Sequence, residues 1–173
     1  MADQREGVPF RLREATVDDV RDILRIINEL ATYEREPDAV VNTEAALTDH
    51  LFGEHPAVFC NVAEVDGTVV GIALWFLTYS TWEGRHGIWL EDLYVDEDYR
   101  GLGIGKALLT QLCAIAESRG YRRVEWTVLN WNTPSINFYR SLGSDPMDEW
   151  TTHRISGPAL GRQAEWFNSQ FSE

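Results

Sequence analysis

The stretch from Trp89 to Leu109 constrains this chain more than any other. Ile88 to Val95 reads as a nearly fully buried strand, yet it carries two adjacent carboxylates, Glu91 and Asp92, where an apolar pair would cost less. Shortly after it, Gly101, Gly103 and Gly105 stand at alternate positions just where a helix with Leu108, Leu112 and Ile115 begins. Glycines there let the backbone come close to a ligand, and the free N–H groups and positive dipole end of a helix start suit phosphate oxygens. Counted from Gly101, the run lacks the last glycine of a dinucleotide-binding fingerprint. Lys106 is followed by Ala107, so there is no hydroxyl of the kind that holds magnesium in a P-loop. A glycine-rich helix cap with no ligand is the plain alternative.

A chain of 173 residues implies one domain, residues 1–173, with a full core that needs neither disulfide nor metal. Cys60 and Cys113 lie far apart in apolar contexts and read as reduced core residues of a cytoplasmic protein. No apolar run is long enough to span a bilayer, and Met-Ala-Asp-Gln-Arg-Glu at the start lacks the apolar region of a signal peptide, so neither membrane insertion nor export is expected. With 28 acids against 15 bases the formal charge is -13. Such a field repels nucleic acid and anionic membranes and gathers cations, which favours an amine substrate.

Along the chain, Val8 to Glu14 reads as a strand, and Thr16 caps a helix with Val20, Ile23, Leu24, Ile27, Leu30 and Ala31 on one face through Tyr33. A second helix opens at Asn42-Thr43-Glu44 and closes at Gly53. Ala57 to Val65 and Thr68 to Tyr79 are strands joined at Asp66-Gly67, a two-residue hairpin signal. The strand from Ile88 completes an antiparallel meander. The long helix then runs to Arg119 with Gly120 as its cap, and Arg123 to Leu129 is the next strand. A βαβ passage demands a parallel pair, so the expected class is α/β (α+β): a mixed, mostly antiparallel central sheet with flanking helices. A short helix follows Asn130-Trp131-Asn132-Thr133-Pro134. Glu149 to Ser156 reads as a last strand, and Ala159 to Gln170 as a terminal helix.

Arg100-Gly101-Leu102-Gly103-Ile104-Gly105 resembles the Arg-Gly-x-Gly-x-Gly/Ala turn of the GNAT superfamily of acyl-CoA-dependent N-acyltransferases. The resemblance extends to Phe52-Gly53-Glu54-His55-Pro56, Leu90-Glu91-Asp92-Leu93-Tyr94-Val95 and Trp131-Asn132-Thr133-Pro134-Ser135-Ile136-Asn137-Phe138-Tyr139. Together these look like the spermidine/spermine N-acetyltransferase branch, which includes thialysine N-acetyltransferases, over roughly residues 9–150. The resemblance implies a GNAT fold with acetyl-CoA as co-substrate, lying where the central strand and the strand of Val124 to Leu129 splay apart. Leu93, Tyr94 and Val95 would offer backbone groups to its acetyl and pantetheine portion. Arg100, Gly101, Leu102, Gly103, Ile104, Gly105 and Lys106 would hold the pyrophosphate, and Asn132, Thr133, Pro134 and Ser135 would bind further along. Asn132 to Ser135 also reads as a plain helix start.

Amide formation from an alkylammonium, whose pKa is about 10, needs one proton removed before attack and another given to the departing thiolate. Glu91 is the candidate base, acting through a water, with burial in an apolar strand suiting it to accept a proton; an ion pair with Arg85 is the alternative. Tyr139, at the family's position, is the candidate acid, against the alternative of an aromatic packed beside Phe138. A backbone N–H such as that of Tyr94 would stabilise charge developing on the acyl oxygen. The branch places substrate contacts at Tyr33, Glu34, Glu91, Asp92, Glu125, Trp126, Thr127 and Trp150, carboxylates with aromatic faces that suit a long flexible cation. His55, His86 and His153 show no metal-ligand spacing, so no metal is expected.

Two positions depart from the branch. Ser80 stands where polyamine-acetylating members carry an acid, which makes a shorter amine or a thialysine-like amino acid comparable to a polyamine as substrate; and Arg140 only partly matches the basic residue expected after the tyrosine. The reading is therefore acetyl transfer from acetyl-CoA to a primary amine of a small cationic metabolite, by direct attack in a ternary complex. The alternatives are a protein lysine or N-terminal acetyltransferase and a non-catalytic acyl-CoA-binding module. The branch forms dimers through its C-terminal strands, so a homodimer is expected, with Trp150 to Ser156 as the matching segment.

Overall fold

The structure, a computed structural model, describes residues 9–171. By its internal contacts the chain forms two compact units, one ending at Leu129 and one beginning at Asn130.

The first unit is a five-stranded sheet in the order β1-β2-β3-β4-β5: β1 (Arg11–Glu14), β2 (Phe59–Val65), β3 (Thr68–Ser80), β4 (Arg85–Val95) and β5 (Val124–Glu125). The first four strands are antiparallel neighbours, and β5 runs parallel to β4. The mixed, mostly antiparallel sheet expected from the βαβ passage is present. Val8, placed in the first strand by the sequence, lies outside the described residues. Asp66 and Gly67 both have positive φ, 49° and 80°, the primed turn whose twist matches a hairpin.

Helices α1 (Val20–Tyr33) and α2 (Glu44–Phe52) cover one face. Val20, Ile23, Ile26, Leu47 and Leu51 pack there against Val62, Ile72, Leu74 and Tyr94. Thr43 caps α2 by accepting from the Ala46 N–H. Helix α3 (Ile104–Ser118) contributes Ile104, Leu108, Leu109, Leu112 and Ala116 to the core. A Cβ on Gly71 would meet Ile104 and Val95 side chains at 3.4 and 3.3 Å. Because Gly71 pairs with Val95, one residue out of phase with Ile72 and Leu74, α3 begins on the face opposite α1.

Two irregularities shape β4. Leu74 pairs with Asp92 and Trp75 with Leu90, so Glu91 is a surplus residue, a β-bulge. Paired residues share a face. Ile88 and Leu90 therefore lie with Leu77 and Trp75, whereas Asp92 and Tyr94 lie with Leu74 and Ile72 on the α1 side. The second irregularity is the parallel pairing with β5, which holds only at Ile88–Val124 and Trp89–Glu125. Gly87 admits that approach, since a Cβ there would lie 2.9 Å from the Arg123 side chain. The strand expected from Arg123 to Leu129 is thus two residues long. Beyond Trp89 the bulged strand bends away, and residues 126–129 have no ladder to join.

The second unit contains α4 (Thr133–Ser141) and α5 (Gly157–Phe171). Glu149 to Ser156 forms no strand, contrary to the sequence expectation: an extended segment becomes one only beside a partner, and none pairs with it among the described residues. Cys113 is a second correction. Cys60 is buried on β2, but Cys113 is exposed, one position beyond the buried Leu112 on α3.

Candidate active site

The region where β4 leaves β5 forms a pocket of about 240 Å³ lined by Glu34, Glu91, Asp92, Thr127, Val128 and Leu129. Four of the six are residues that the sequence named for substrate or proton transfer. Val128 and Leu129 were missed as pocket lining because a continuous strand would have paired them; their only signal is adjacency to Thr127. Glu34 arrives from the C-terminal end of α1, which stops as its N–H bonds the Leu30 carbonyl at 2.8 Å.

The two adjacent acids divide differently from expectation. Glu91, the surplus residue, is exposed, and its Oε2 accepts from Trp89 Nε1 at 2.8 Å. Burial in the strand, the reason for choosing Glu91 as base, falls instead on its neighbour. Asp92 is half-buried on the α1 face, and its side chain has no hydrogen bond or ion pair among the described residues. Desolvation first, then the like charges of Glu91 and Glu34, push the Asp92 carboxyl up to about 6. Burial also raises Glu34 above the ordinary carboxylate value.

Tyr33 is not part of this pocket. It faces a wider groove, of about 800 Å³, shared with Arg25, Glu29, Tyr94 and Asp96 to Tyr99. Its ring meets that of Tyr94 edge-on at 6.4 Å, and the Arg100 guanidinium lies 5.2 Å from one ring centre and 5.0 Å from the other. Arg100 Nε donates to the Val95 carbonyl at 3.0 Å, so this arginine ties the glycine turn to the end of β4 and engages the Val95 oxygen, one of the backbone groups expected to meet the cofactor. Glu125 pairs with Arg123 at 2.8 Å and, like Trp126, does not line the carboxylate pocket.

At the glycine turn, Gly101 and Gly103 both have φ of +82°, with open space where a Cβ would project. Gly103 is the N-cap of α3, so no side chain caps the helix, and its first turn holds no acid but does hold Lys106. A 15-residue helix whose first N–H groups are uncapped and whose start is free of acids, in a chain with 28 of them, has the donor set a diphosphate needs. Leu93 and Val95 are half-buried, and Tyr94 is buried.

Within the second unit, Asn132 is buried and caps α4 by accepting from the Ser135 N–H at 3.3 Å, with Thr133 and Pro134 in the first turn. The helix-start reading of Asn132 to Ser135 is therefore realised, and it leaves their part in binding a cofactor open to test. Tyr139 packs against Phe138 with ring centres 5.3 Å apart. Trp150 is 69% exposed.

Residues 18–143 match the family model described as Acetyltransferase (GNAT) family. The chain belongs to the GNAT acetyltransferase family. As a GNAT enzyme it is an acetyl-CoA-dependent N-acetyltransferase with the GNAT fold. It is 39% identical over 160 residues to a thialysine N-epsilon-acetyltransferase of Bos taurus, covering 86% of this chain and 94% of the relative. It is also 39% identical over 142 residues to spermidine/spermine N(1)-acetyltransferase-like protein 1 of Homo sapiens, covering 78% of this chain and 20% of that longer protein. Among solved structures, an integron cassette protein from the mobile metagenome of V. cholerae superposes with a TM-score of 0.78 at 26% identity, over 92% of this chain and 99% of its own. No helix among the described residues of this acetyltransferase is long and apolar enough to cross a membrane, and none of its described His, Cys, Asp or Glu residues cluster as metal ligands.

Proposed function

We propose that this enzyme transfers the acetyl group of acetyl-CoA to a primary amine of a small cationic metabolite, a polyamine, a diamine or a thialysine-like amino acid, in a ternary complex. The observation that carries the reading is the pocket at the β4–β5 divergence. Glu34, Glu91 and Asp92 line it, and among the described residues no arginine, lysine or histidine does. Three acids around about 240 Å³ attract an ammonium group and disfavour an anion.

Acetyl-CoA supplies the activated acyl group, and the chain's residues position it and move protons. Support for Gly101 to Lys106 as the diphosphate site comes from the uncapped, acid-free start of α3. In this reading Arg100 orders that turn, Leu93, Tyr94 and Val95 run beside the pantetheine, and Asn132, Thr133, Pro134 and Ser135 bind further along. A carboxylate of the Glu91–Asp92 pair accepts the ammonium proton, and Tyr139 protonates the leaving thiolate. Thr127 lines the pocket beside the reacting amine, and Tyr33, Glu125, Trp126 and Trp150 are read as contacts outside it for the rest of a longer substrate. Neither Cys60 nor Cys113 lines the pocket, consistent with direct attack rather than a covalent enzyme intermediate. Residues 1–173 are read as one acetyltransferase domain, since the family match crosses the boundary between the two units. A homodimer in the cytoplasm completes the proposal.

The test is CoA release with spermidine, thialysine, lysine and short diamines side by side. Turnover of at least one amine is expected, and Tyr139→Phe should lower kcat about 10- to 100-fold while leaving the acetyl-CoA Kd unchanged. An unaltered kcat removes Tyr139 from the mechanism.

A further inference from the structure

We infer that Asp92, rather than its neighbour Glu91, is the side chain that takes the proton from the substrate ammonium. The inference rests on the acetyl-transfer reading and assigns a role within it. Three geometric observations lead to it. The bulge makes Glu91 the surplus residue of β4, exposed to water, with one carboxylate oxygen already holding the Trp89 indole N–H at 2.8 Å. The same bulge turns Asp92 onto the α1 face, where its carboxylate lines the pocket with no side-chain donor or cation of the described chain upon it. Across the pocket, Glu34 supplies a second negative charge that attracts the ammonium without being adjacent in the chain.

Among the described residues the groups around Asp92 are few. Glu91 stands beside it on β4 and Glu34 at the end of α1; both are acids, and both favour the protonated form of Asp92. The Cys60 thiol on β2 is raised far above the working range by burial and stays neutral, and the buried Tyr94 phenol is likewise raised. Thr127, Val128 and Leu129 carry no titrating group. A carboxyl pushed to about 6 in this surrounding is ionised at neutral pH and still a far better proton acceptor than an ordinary surface carboxylate.

The step balances simply. An N–H bond of the ammonium breaks as an O–H bond forms on Asp92, and the free amine attacks the thioester carbon. The C–N bond forms, the C–S bond breaks, the CoA sulfur takes its proton from the acid, and a second N–H proton, released from the attacking nitrogen as the amide forms, restores the acid. Asp92 then returns its own proton to solvent through the open side of the pocket.

The experiment measures kcat and KM, at saturating acetyl-CoA, for wild type, Asp92→Asn, Asp92→Glu and Glu91→Gln between about pH 5.5 and 9.5. Wild type should lose kcat/KM below about pH 6 and reach a plateau above it. Asp92→Asn should lose on the order of 100-fold in kcat at neutral pH, and its rate should rise about tenfold per pH unit toward the amine's own pKa, because the amine must then arrive neutral. Asp92→Glu should restore the plateau at a lower kcat. Glu91→Gln removes one of the pocket's acids and should raise the amine KM, while kcat keeps the wild-type dependence on pH.

If Glu91→Gln shows the steep pH rise, or if Asp92→Asn changes only KM by the same factor at every pH, the assignment is overturned. If wild type releases no CoA with any amine while still binding acetyl-CoA, the acetyl-transfer reading fails first. That result is distinct, because the variants then have no profile to compare.

Discussion

The carboxylate pocket and the start of α3 treat charge in opposite ways. The pocket gathers Glu34, Glu91 and Asp92 with no described base among its lining residues, while the first turn of α3 excludes acids, holds Lys106 and leaves its N–H groups uncapped. In a chain with a net charge of -13, acids anywhere are unremarkable by count, so their segregation is what carries information. An amine needs negative charge where its proton leaves, and a diphosphate needs none where it is gripped. The two regions teach that the acidic composition is not a uniform solvated coat but is interrupted where an anionic partner would sit.

The most severe way to break this comparison is to move an acid across it. Gly105→Glu places a carboxylate in the α3 first turn, and a Cβ there meets only Val95 at an ordinary 3.8 Å, so the fold should survive. The acetyl-CoA Kd should rise about 100-fold by calorimetry, against a few-fold for Gly105→Gln. Equal Kd values for the two variants would show that charge at the helix start is irrelevant.

The opposite change, removing an acid from the pocket, should act on the amine alone. Glu34→Gln should raise the amine KM roughly three- to tenfold at low salt, with the effect shrinking as ionic strength screens it and the acetyl-CoA Kd unmoved.

The smallest effect is on stability, and it sharpens the contrast by exposing what the pocket costs. In the folded chain the Asp92 carboxyl holds its proton up to about 6, against an ordinary value of 3.8. The folded state therefore binds more protons between those values, and the stability present below the lower one is lost as pH rises through the upper. Above about pH 6 the ionised Asp92 destabilises the fold by roughly 1–2 kcal/mol after allowing for screening in a half-buried site. Asp92→Asn should be more stable than wild type by that amount in urea unfolding at about pH 7.5, with the gain vanishing near pH 4. An equal gain at both pH values would point to packing rather than charge.

Much of this architecture was legible in the chain. The helical spacing from Val20 to Tyr33, the Asp66-Gly67 hairpin and the glycine turn into α3 are local signals, each decided by residues a few positions apart, and each matches the structure. What failed was non-local. Alternation along β4 gave no warning that Glu91 is surplus, because a bulge is defined by the register of the neighbouring strand, so the buried carboxylate was assigned one residue too early. Residues 126–129 looked like a strand by composition, but their would-be partner turns away at the bulge. Glu149 to Ser156 failed for want of a partner strand among the described residues. Cys113 is the exception, since helical spacing from Leu108, Leu109 and Leu112 already put it beside the buried stripe rather than in it.

A surplus residue can be removed without disturbing those around it. With Glu91 deleted, Leu90 would still stand opposite Trp75 and Asp92 opposite Leu74, so every other side chain of β4 would keep its face. What would vanish is the bend. A straightened β4 could zip onward past Trp89 along Thr127 to Leu129 and seal the opening between them. The pocket is in that sense held open by a single codon's worth of slack.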